Sequence, residues 1–340
     1  MKLFNVAVIG ATGIVGQEFI SILEQRNFPI ENLYPYASEK SLGECVEFKK
    51  REVSVIPLTK ESIKGKNIDI AFFSAGSVVA KEMASAFTEI GALVIDNSSA
   101  FRMDKNVPLV VPEVNGSILK NSRSKIIANP NCSTIQLVPF LDIVNKLFII
   151  ESVFVSTYQS VSGAGKGGIE ELKDQVVKLF SGQTAVPAVF PQRIAFNLIP
   201  QIGPFYPEAY CEEEIKMINE SRKILSISDL DIDVTTVRVP TFYSHAETVI
   251  VNTKNECDIQ KLKDAINSNP EMKLMDDPEE LLYPTLIDAS GKNEVFIGRL
   301  RTNPQNKKRI SGWIVADNVR KGAAYNAVRI AETVIGGLNE

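Results

Sequence analysis

An α/β chain of two domains is what this sequence predicts, the first built on a parallel sheet and the second on an antiparallel or mixed one. Three observations carry the prediction. Strand-like and helix-like segments alternate through residues 1–130, the pattern of a parallel α/β sheet. Long alternating strands then take over at 232–243, 246–253, 294–301 and 309–318, and these suit a sheet with one covered face. The length of 340 residues accommodates two domains of ~100–200 residues each.

The elements follow in order. "NVAVIG" (5–10) reads as a strand buried on both faces, and "IVGQEFISILEQ" (14–25) has helical spacing with Ile14, Phe19, Ile22 and Leu23 along one side. Further strands are expected at 32–37, 52–58, 68–76, 92–98 and 125–129, with a helix of small and apolar residues at 78–90. A helix at 133–147 leads into a long strand at 151–163 and a helix at 167–180. The stretch 181–210 holds five prolines and reads as a structured loop rather than a flexible linker. The final helix, 321–338, aligns Ala324, Val328, Ala331 and Ile335 on one face and is expected to return to the first domain. The expected division is 1–130 with 319–340, and 131–318.

Composition excludes several classes of function. At 44% hydrophobic, 8% aromatic and 23% charged residues, the chain is an ordinary globular one. A net charge of −4 argues against a nucleic-acid partner. No apolar run approaches the ~18 residues of a membrane span. In "MKLFNVAVIGATG" the apolar run is broken by Asn5 and ended by Gly10, which suits a first strand better than a leader. The cysteines at 45, 132, 211 and 257 are scattered, so a reducing, cytoplasmic compartment is expected. With one histidine and no CxxC pair, no metal site is expected.

Chemistry enters with "IGATGIVGQE", where Gly10, Gly13 and Gly16 stand between a strand and a helix. Glycine lets backbone approach a pyrophosphate closely, and the helix N-terminus supplies amide donors, so a Rossmann-like dinucleotide-binding domain is expected. A glycine-rich turn without a ligand is the alternative. The second strand ends in "ASEKSLG" (37–43), where an NAD-preferring enzyme carries an acid for the ribose 2′-hydroxyl. Ser38, Lys40 and Ser41 would instead suit a 2′-phosphate and Glu39 would oppose one, so NADP is expected if Glu39 points away.

"ANPNCSTIQ" places Cys132 at the start of a helix, where amides and dipole favour thiolate. Asn131 offers an amide beside the sulfur. Local sequence leaves open whether Cys132 is this nucleophile or a small core residue. His245, the lone histidine, is the one side chain with an ordinary pKa near neutrality, so any histidine acid/base step must use it. Arg238 lies seven residues earlier, on the opposite face of a continuous strand unless Pro240 and the turn at 243–244 break the register. Arg102 and Lys216 are anion binders or solvated charges. Glu213 and Lys216 share a helix face, which a surface ion pair would also explain. Gln159 precedes a second glycine cluster, "SVSGAGKGG", a ligand approach or a flexible turn.

Taken in order, "VIGATGIVGQE", "FFSAGS", "DNSSAFRMD", "VVPEVN", "ANPNCSTIQ", "TYQSVSGAGKGG", "FPQRIAFNLIPQIG", "EEEIKM", "RVPTFYSHAET" and "DNVRKGAA" resemble the aspartate-semialdehyde dehydrogenase family over nearly the whole chain. The resemblance implies a Rossmann-like domain followed by an α+β catalytic and dimerisation domain with a mixed sheet. It puts the nucleophile on Cys132, the acid/base on His245 and a substrate-placing amide on Gln159. Arg102, Asn131 and Lys216 match phosphate-binding positions, and Glu213 and Arg238 match those holding the amino-acid end. For NADP(H) it covers Gly10, Thr12, Gly13, Ile14, Val15 and Gly16, then Ser38, Lys40 and Ser41, the turn Ser74, Ala75 and Gly76, and Ser162, Gly163 and Asn318. The stretch with Lys40 and Glu44 is less basic than the family pattern.

The implied reaction is reversible reduction of aspartyl phosphate to aspartate semialdehyde and phosphate through a cysteine thiol ester, on the route to lysine, threonine, methionine and isoleucine. A homodimer is implied, with a tetramer as a further assembly. N-acetyl-γ-glutamyl-phosphate reductases share this architecture and chemistry, but "NPNCST" and "RVPTFYSHAE" resemble the aspartyl enzymes better. A catalytically inactive dinucleotide-binding homologue would be favoured by a missing cysteine or histidine; both are present.

Overall fold

The computed structural model describes residues 2–337; Leu338, the expected end of the last helix, lies outside the described residues. The chain forms two compact units, Met1–Asn131 with Ala323–Glu340, and Cys132–Gly322.

The first unit runs β1 (Phe4–Ile9), α1 (Ile14–Gln25), β2 (Ile30–Ala37), β3 (Cys45–Phe48), β4 (Arg51–Ser54), β5 (Ile56–Pro57), α2 (Lys60–Ile63), β6 (Ile70–Phe73), α3 (Ser77–Glu89), β7 (Leu93–Asp96), α4 (Pro112–Asn115) and β8 (Ile126–Ala128). Six strands form a parallel sheet in the order β5-β2-β1-β6-β7-β8. The central strands β1 and β6 are buried almost throughout because both faces are covered. Val6 and Val8 pack with Phe19, Ile22 and Leu23 of α1 on one face. Ala7 and Ile9 pack with Ala80, Ala84 and Phe87 of α3 on the other. Ile14 of α1 is only half-buried. The strand expected at 52–58 is broken: β4 pairs with β3, a strand the sequence did not announce, and β5 pairs with β2. Between them Val55 turns inward, buried, and donates its N–H to Glu44 O at 3.0 Å.

The second unit runs α5 (Cys132–Phe148), β9 (Ile150–Gln159), α6 (Gly165–Phe180), α7 (Glu212–Leu225), β10 (Asp231–Arg238), β11 (His245–Thr253), α8 (Ile259–Asn267), β12 (Met272–Leu274), α9 (Leu286–Ala289), β13 (Val295–Asn303) and β14 (Asn306–Ala316). Its sheet is mixed, in the order β10-β9-β11-β14-β13-β12. The pairs β9–β10 and β12–β13 are parallel, and the other three are antiparallel. Val153 and Val155 of β9 and Val249 and Val251 of β11 point to one face, against Leu137, Phe140 and Leu141 of α5 and Met217 of α7.

β9 and β10 stop well short of their expected ends. β9 ends at Gln159, where a 3₁₀ turn over Val161–Ala164 and Gly165 at φ +75° redirect the chain. β10 ends at Arg238, two residues before Pro240, which has no N–H for a ladder. The last helix also starts late: a π-helical turn at Arg320–Tyr325 precedes α10 (Asn326–Gly337). Ala327, Val328 and Ala331 of α10 join the same apolar cluster as α1.

Candidate active site

In the first unit, chain reversal creates a binding edge. The strand after β1 pairs on one side of it and β6 on the other, so ligands are favoured beyond the ends of β1 and β6. Both ends carry glycine. Gly10 (φ +84°) follows β1, and a Cβ there would come 2.9 Å from Ser74 O. A Cβ on Gly16 would lie 2.0 Å from Gly10 O, so α1 can approach the loop this closely only with glycine. Gly13 N-caps α1 and Gly76 N-caps α3, neither helix has a side-chain cap, and a Cβ on Gly76 would meet open space. Two uncapped helix starts on neighbouring strands form a cradle of amide donors that fits a dinucleotide pyrophosphate. Thr12 Oγ1 and Ser41 Oγ lie 3.2 Å apart, tying the loop to the turn Glu39–Ser41. Ser38, Glu39 and Lys40 are exposed there.

Arg102 also belongs to the first unit, and it is not a solvated charge. It is buried, its Nε donates to Asn129 O at 3.0 Å, and its Nη2 donates to Asn97 O at 2.9 Å. Asn129 is itself held, donating to Asn97 Oδ1 at 2.7 Å and Ala323 O at 3.1 Å. Asn131 is buried at the end of this unit.

The second unit resolves the register left open by the sequence. Arg238 of β10 and His245 of β11 both pair with Gln159 of the strand between them. Directly paired residues point to the same face, so Arg238, Gln159 and His245 form one row. The next row on that face is Thr236, Thr157 and Glu247, followed by Val234, Val155 and Val249. Polarity thus rises stepwise toward one end of the sheet.

Helix α5 tracks the same gradient. Phe140 lies near Gly312, whose added Cβ would come 3.5 Å from the ring, in the row of Val249. Gln136, one turn earlier, lies beside Glu247. Cys132, another turn earlier and the first residue of α5, therefore reaches the row of Arg238, Gln159 and His245. Gly322 packs against it so closely that a Cβ would lie 2.8 Å from that of Cys132. The helix start provides the positive dipole end, which favours thiolate.

His245 is fully buried, and its tautomer is set by the backbone. Ser160 N–H donates to Nδ1 at 3.1 Å, so the proton of the neutral ring resides on Nε2. Among the described residues Nε2 has no partner. Burial, and secondly the charge of Arg238, push the imidazole down to about 3, so it is neutral at physiological pH. A Cβ on Gly163 would stand 3.3 Å from Nε2 and 2.8 Å from Arg238 Nη1. Asn318 fixes this corner: its Oδ1 accepts from Ser160 Oγ and Ser162 Oγ at 3.2 Å each and from Ser244 N–H at 3.0 Å.

Arg238 is buried and donates through Nη1 to Ser160 O at 2.7 Å. Burial pushes its guanidinium below the ordinary value, opposed by the nearby Glu213 and then Cys132. Gln159 Nε2 donates to Thr157 Oγ1 at 3.3 Å. On α7, Lys216 pairs with Glu212 at 3.2 Å and Glu213 at 3.8 Å, a cation already flanked by two carboxylates. Sequence reasoning passed over three residues here. Ser160 sets the histidine tautomer and receives Arg238, Glu212 shares Lys216, and Glu247 is a buried acid behind His245. Burial pushes the Glu247 carboxyl well above the ordinary carboxylate range, opposed by the neighbouring Gln136 side chain. Strand register reveals Glu247, the turn that ends β9 reveals Ser160, and the i, i+4 spacing on α7 reveals Glu212.

Among the described residues no group of three or more His, Cys, Asp or Glu is placed to hold a metal ion, and no helix is long and apolar enough to cross a membrane.

Known proteins with this architecture agree with the motif order. Residues 5–122 match the semialdehyde dehydrogenase NAD-binding domain, and residues 141–321 match the semialdehyde dehydrogenase dimerisation domain. Aspartate-semialdehyde dehydrogenase of Aquifex aeolicus is 46% identical over 334 residues, 98% of each chain. That of Bacillus subtilis is 44% identical over 97% of each chain. A crystal structure of aspartate semialdehyde dehydrogenase II from Vibrio cholerae, complexed with ASA, aligns at a TM-score of 0.93 with 42% identity and 99% of each chain covered. The chain belongs to the aspartate-semialdehyde dehydrogenase family of oxidoreductases, with an N-terminal NAD-binding domain and a C-terminal dimerisation domain.

Proposed function

We propose that this enzyme reduces L-4-aspartyl phosphate to L-aspartate 4-semialdehyde with NADPH, reversibly, through a thioacyl bond on Cys132. The reading rests on one observation above the others: Arg238, Gln159 and His245 share a row at the end of the sheet where α5 begins with Cys132.

In the reductive direction the Cys132 thiolate attacks the acyl carbon, the C–S bond forms, and the C–O bond to phosphate breaks. Arg102, Asn131 and Lys216 bind the departing phosphate. Gln159 orients the acyl group. Arg238 pairs with the α-carboxylate as a two-point fork, which lysine cannot reproduce, and Glu213 balances the ammonium. His245 acts from Nε2–H, donating to the carbonyl oxygen as negative charge develops there. NADP(H), when bound, supplies the hydride that takes the thiol ester to the aldehyde level. Breaking the C–S bond then returns thiolate to the start of α5, and the Nε2 proton returns to His245.

Cofactor binding is assigned to Gly10, Thr12, Gly13, Ile14, Val15 and Gly16, to Ser38, Lys40 and Ser41, to Ser74, Ala75 and Gly76, and to Ser162, Gly163 and Asn318. The exposed Ser38 and Lys40 beside Ser41 favour the 2′-phosphate of NADP, and Glu39 turned to solvent does not oppose it. Residues 1–130 with 319–340 serve the dinucleotide, and 131–318 serve catalysis and dimerisation. The working form is a cytoplasmic homodimer, with pairing of dimers as a further level of assembly.

The test is phosphate-dependent reduction of NADP⁺ by aspartate semialdehyde, run beside N-acetylglutamate semialdehyde and beside NAD⁺. Turnover with the aspartyl substrate and preference for NADP⁺ are expected. Preference for the acetylglutamyl substrate overturns the substrate assignment, and preference for NAD⁺ overturns the cofactor assignment.

A further inference from the structure

We infer that Phe190 is a positioning residue that fixes the Arg238 guanidinium for the substrate α-carboxylate. The inference rests on the reading of Arg238 given above.

Helix α6 buries two polar side chains, Glu171 and Gln175. Their partner is a segment without regular structure. Gln175 Nε2 donates to Glu171 Oε1 at 2.7 Å. Glu171 Oε2 accepts the N–H groups of Ala188, at 3.2 Å, and Val189. Gln175 Oε1 accepts those of Ile194 and Ala195 at 2.9 and 3.0 Å. Four backbone donors of residues 188–195 are thus satisfied from one helix. A buried carboxylate in this role is costly to lose, because removing it strands buried N–H groups.

Phe190 lies between the two anchors, buried in the cluster of Val161, Leu172 and Ile194. Gly168 of α6 lets its ring in: a Cβ there would lie 3.1 Å from Phe190 Cζ. On its other side the ring meets the Arg238 guanidinium, whose Cζ lies 5.9 Å from the ring centroid. The same segment also holds the Arg238 backbone, through Arg238 N–H to Ile199 O at 2.8 Å and Ile199 N–H to Arg238 O at 3.0 Å. The ring on one side and Ser160 O at Nη1 constrain the orientation of the guanidinium. An aromatic face also compensates a buried cation for lost water. A fork held in one orientation is what bidentate carboxylate recognition requires.

The experiment compares wild type, F190L and F190Y in the phosphorylating direction. F190L keeps an apolar filler but removes the ring, and its KM for aspartate semialdehyde should rise about three- to thirtyfold. Its kcat and its KM for phosphate should stay within about twofold of wild type, and F190Y, with the ring restored, should return the semialdehyde KM toward wild type. An unchanged semialdehyde KM in F190L overturns the proposal. So does a fall in kcat with a rise in both KM values, the pattern of a loosened fold, or an F190Y no better than F190L. Absence of turnover in wild type would refute the activity assignment instead. In that case a crystal structure of F190L decides: a displaced Arg238 guanidinium supports the proposal, and an unmoved one overturns it.

Discussion

The two sheets of this protein present function by different means. In the parallel sheet, binding capacity lies beyond the strand ends, in backbone amides exposed by Gly10, Gly13 and Gly76. In the mixed sheet it lies within the strands, as a row of side chains set by register: Arg238, Gln159 and His245. Backbone sites depend on what is absent, a Cβ, and side-chain sites depend on what is aligned. The two regions should therefore fail in different ways when altered, the first losing fit and the second losing chemistry.

The largest effect belongs to the side-chain row and the helix that feeds it. Cys132→Ala should lower turnover by about 10⁴–10⁶, whereas alanine at Cys45, Cys211 or Cys257 should leave the thiol-ester step in place. Near-normal turnover without the Cys132 sulfur would end the covalent reading. His245→Gln should cost about 10²–10⁴ in kcat. Its pH signature is distinctive. The folded imidazole sits at about 3 against an ordinary 6.5, so below 6.5 the unfolded chain takes a proton that the folded one refuses. That stability is whole above pH 6.5 and is lost as pH falls toward 3. Thermal unfolding of His245→Gln should accordingly vary less over this window than wild type; parallel curves would mean the histidine is solvated.

Replacing Arg238 with lysine should raise the KM for aspartate semialdehyde about 10–100-fold, with the phosphate KM steady. A reversed split would exchange the roles of Arg238 and Arg102. Gly16→Ala tests the backbone region: a Cβ 2.0 Å from Gly10 O forces the loop apart. Overpacking of this kind costs about 1–3 kcal/mol, and Tm should drop by about 3–10 °C. The cofactor KM should rise while the semialdehyde KM does not. A change confined to the semialdehyde would contradict the division of labour. The smallest effect should come from Glu247→Gln. Burial disfavours the charged form of this carboxyl, so an amide of the same shape should be tolerated and kcat should hold within about twofold. A large loss, or a shifted pH–rate profile, would show that the group ionises in use.

The sequence was most informative where pattern and packing coincide. β1 and α1 were legible because two covered faces require an unbroken apolar run and one covered face requires helical spacing. β3 was not, because "CVEF" is short and half-exposed. Strand ends were misjudged at Gln159 and Arg238, since alternation continues past both while a glycine turn and Pro240 end the ladders. Cys132, His245 and Gln159 could be named from motifs, but the pairing that sets Gln159 beside His245 depends on strand register, which no local pattern encodes. Ser160 and Phe190 were invisible for a further reason. Each works through a backbone group or a ring face, and neither leaves a residue-type signature.

Every other proposed step depends on the thiol ester at Cys132. Wild-type protein mixed with aspartyl phosphate and no NADPH should gain the mass of one aspartyl acyl group per chain, mapped to the peptide holding Cys132, and NADPH should remove it. Cys132→Ala should gain nothing. Acylation that persists in Cys132→Ala, or that maps to another residue in wild type, would contradict the account.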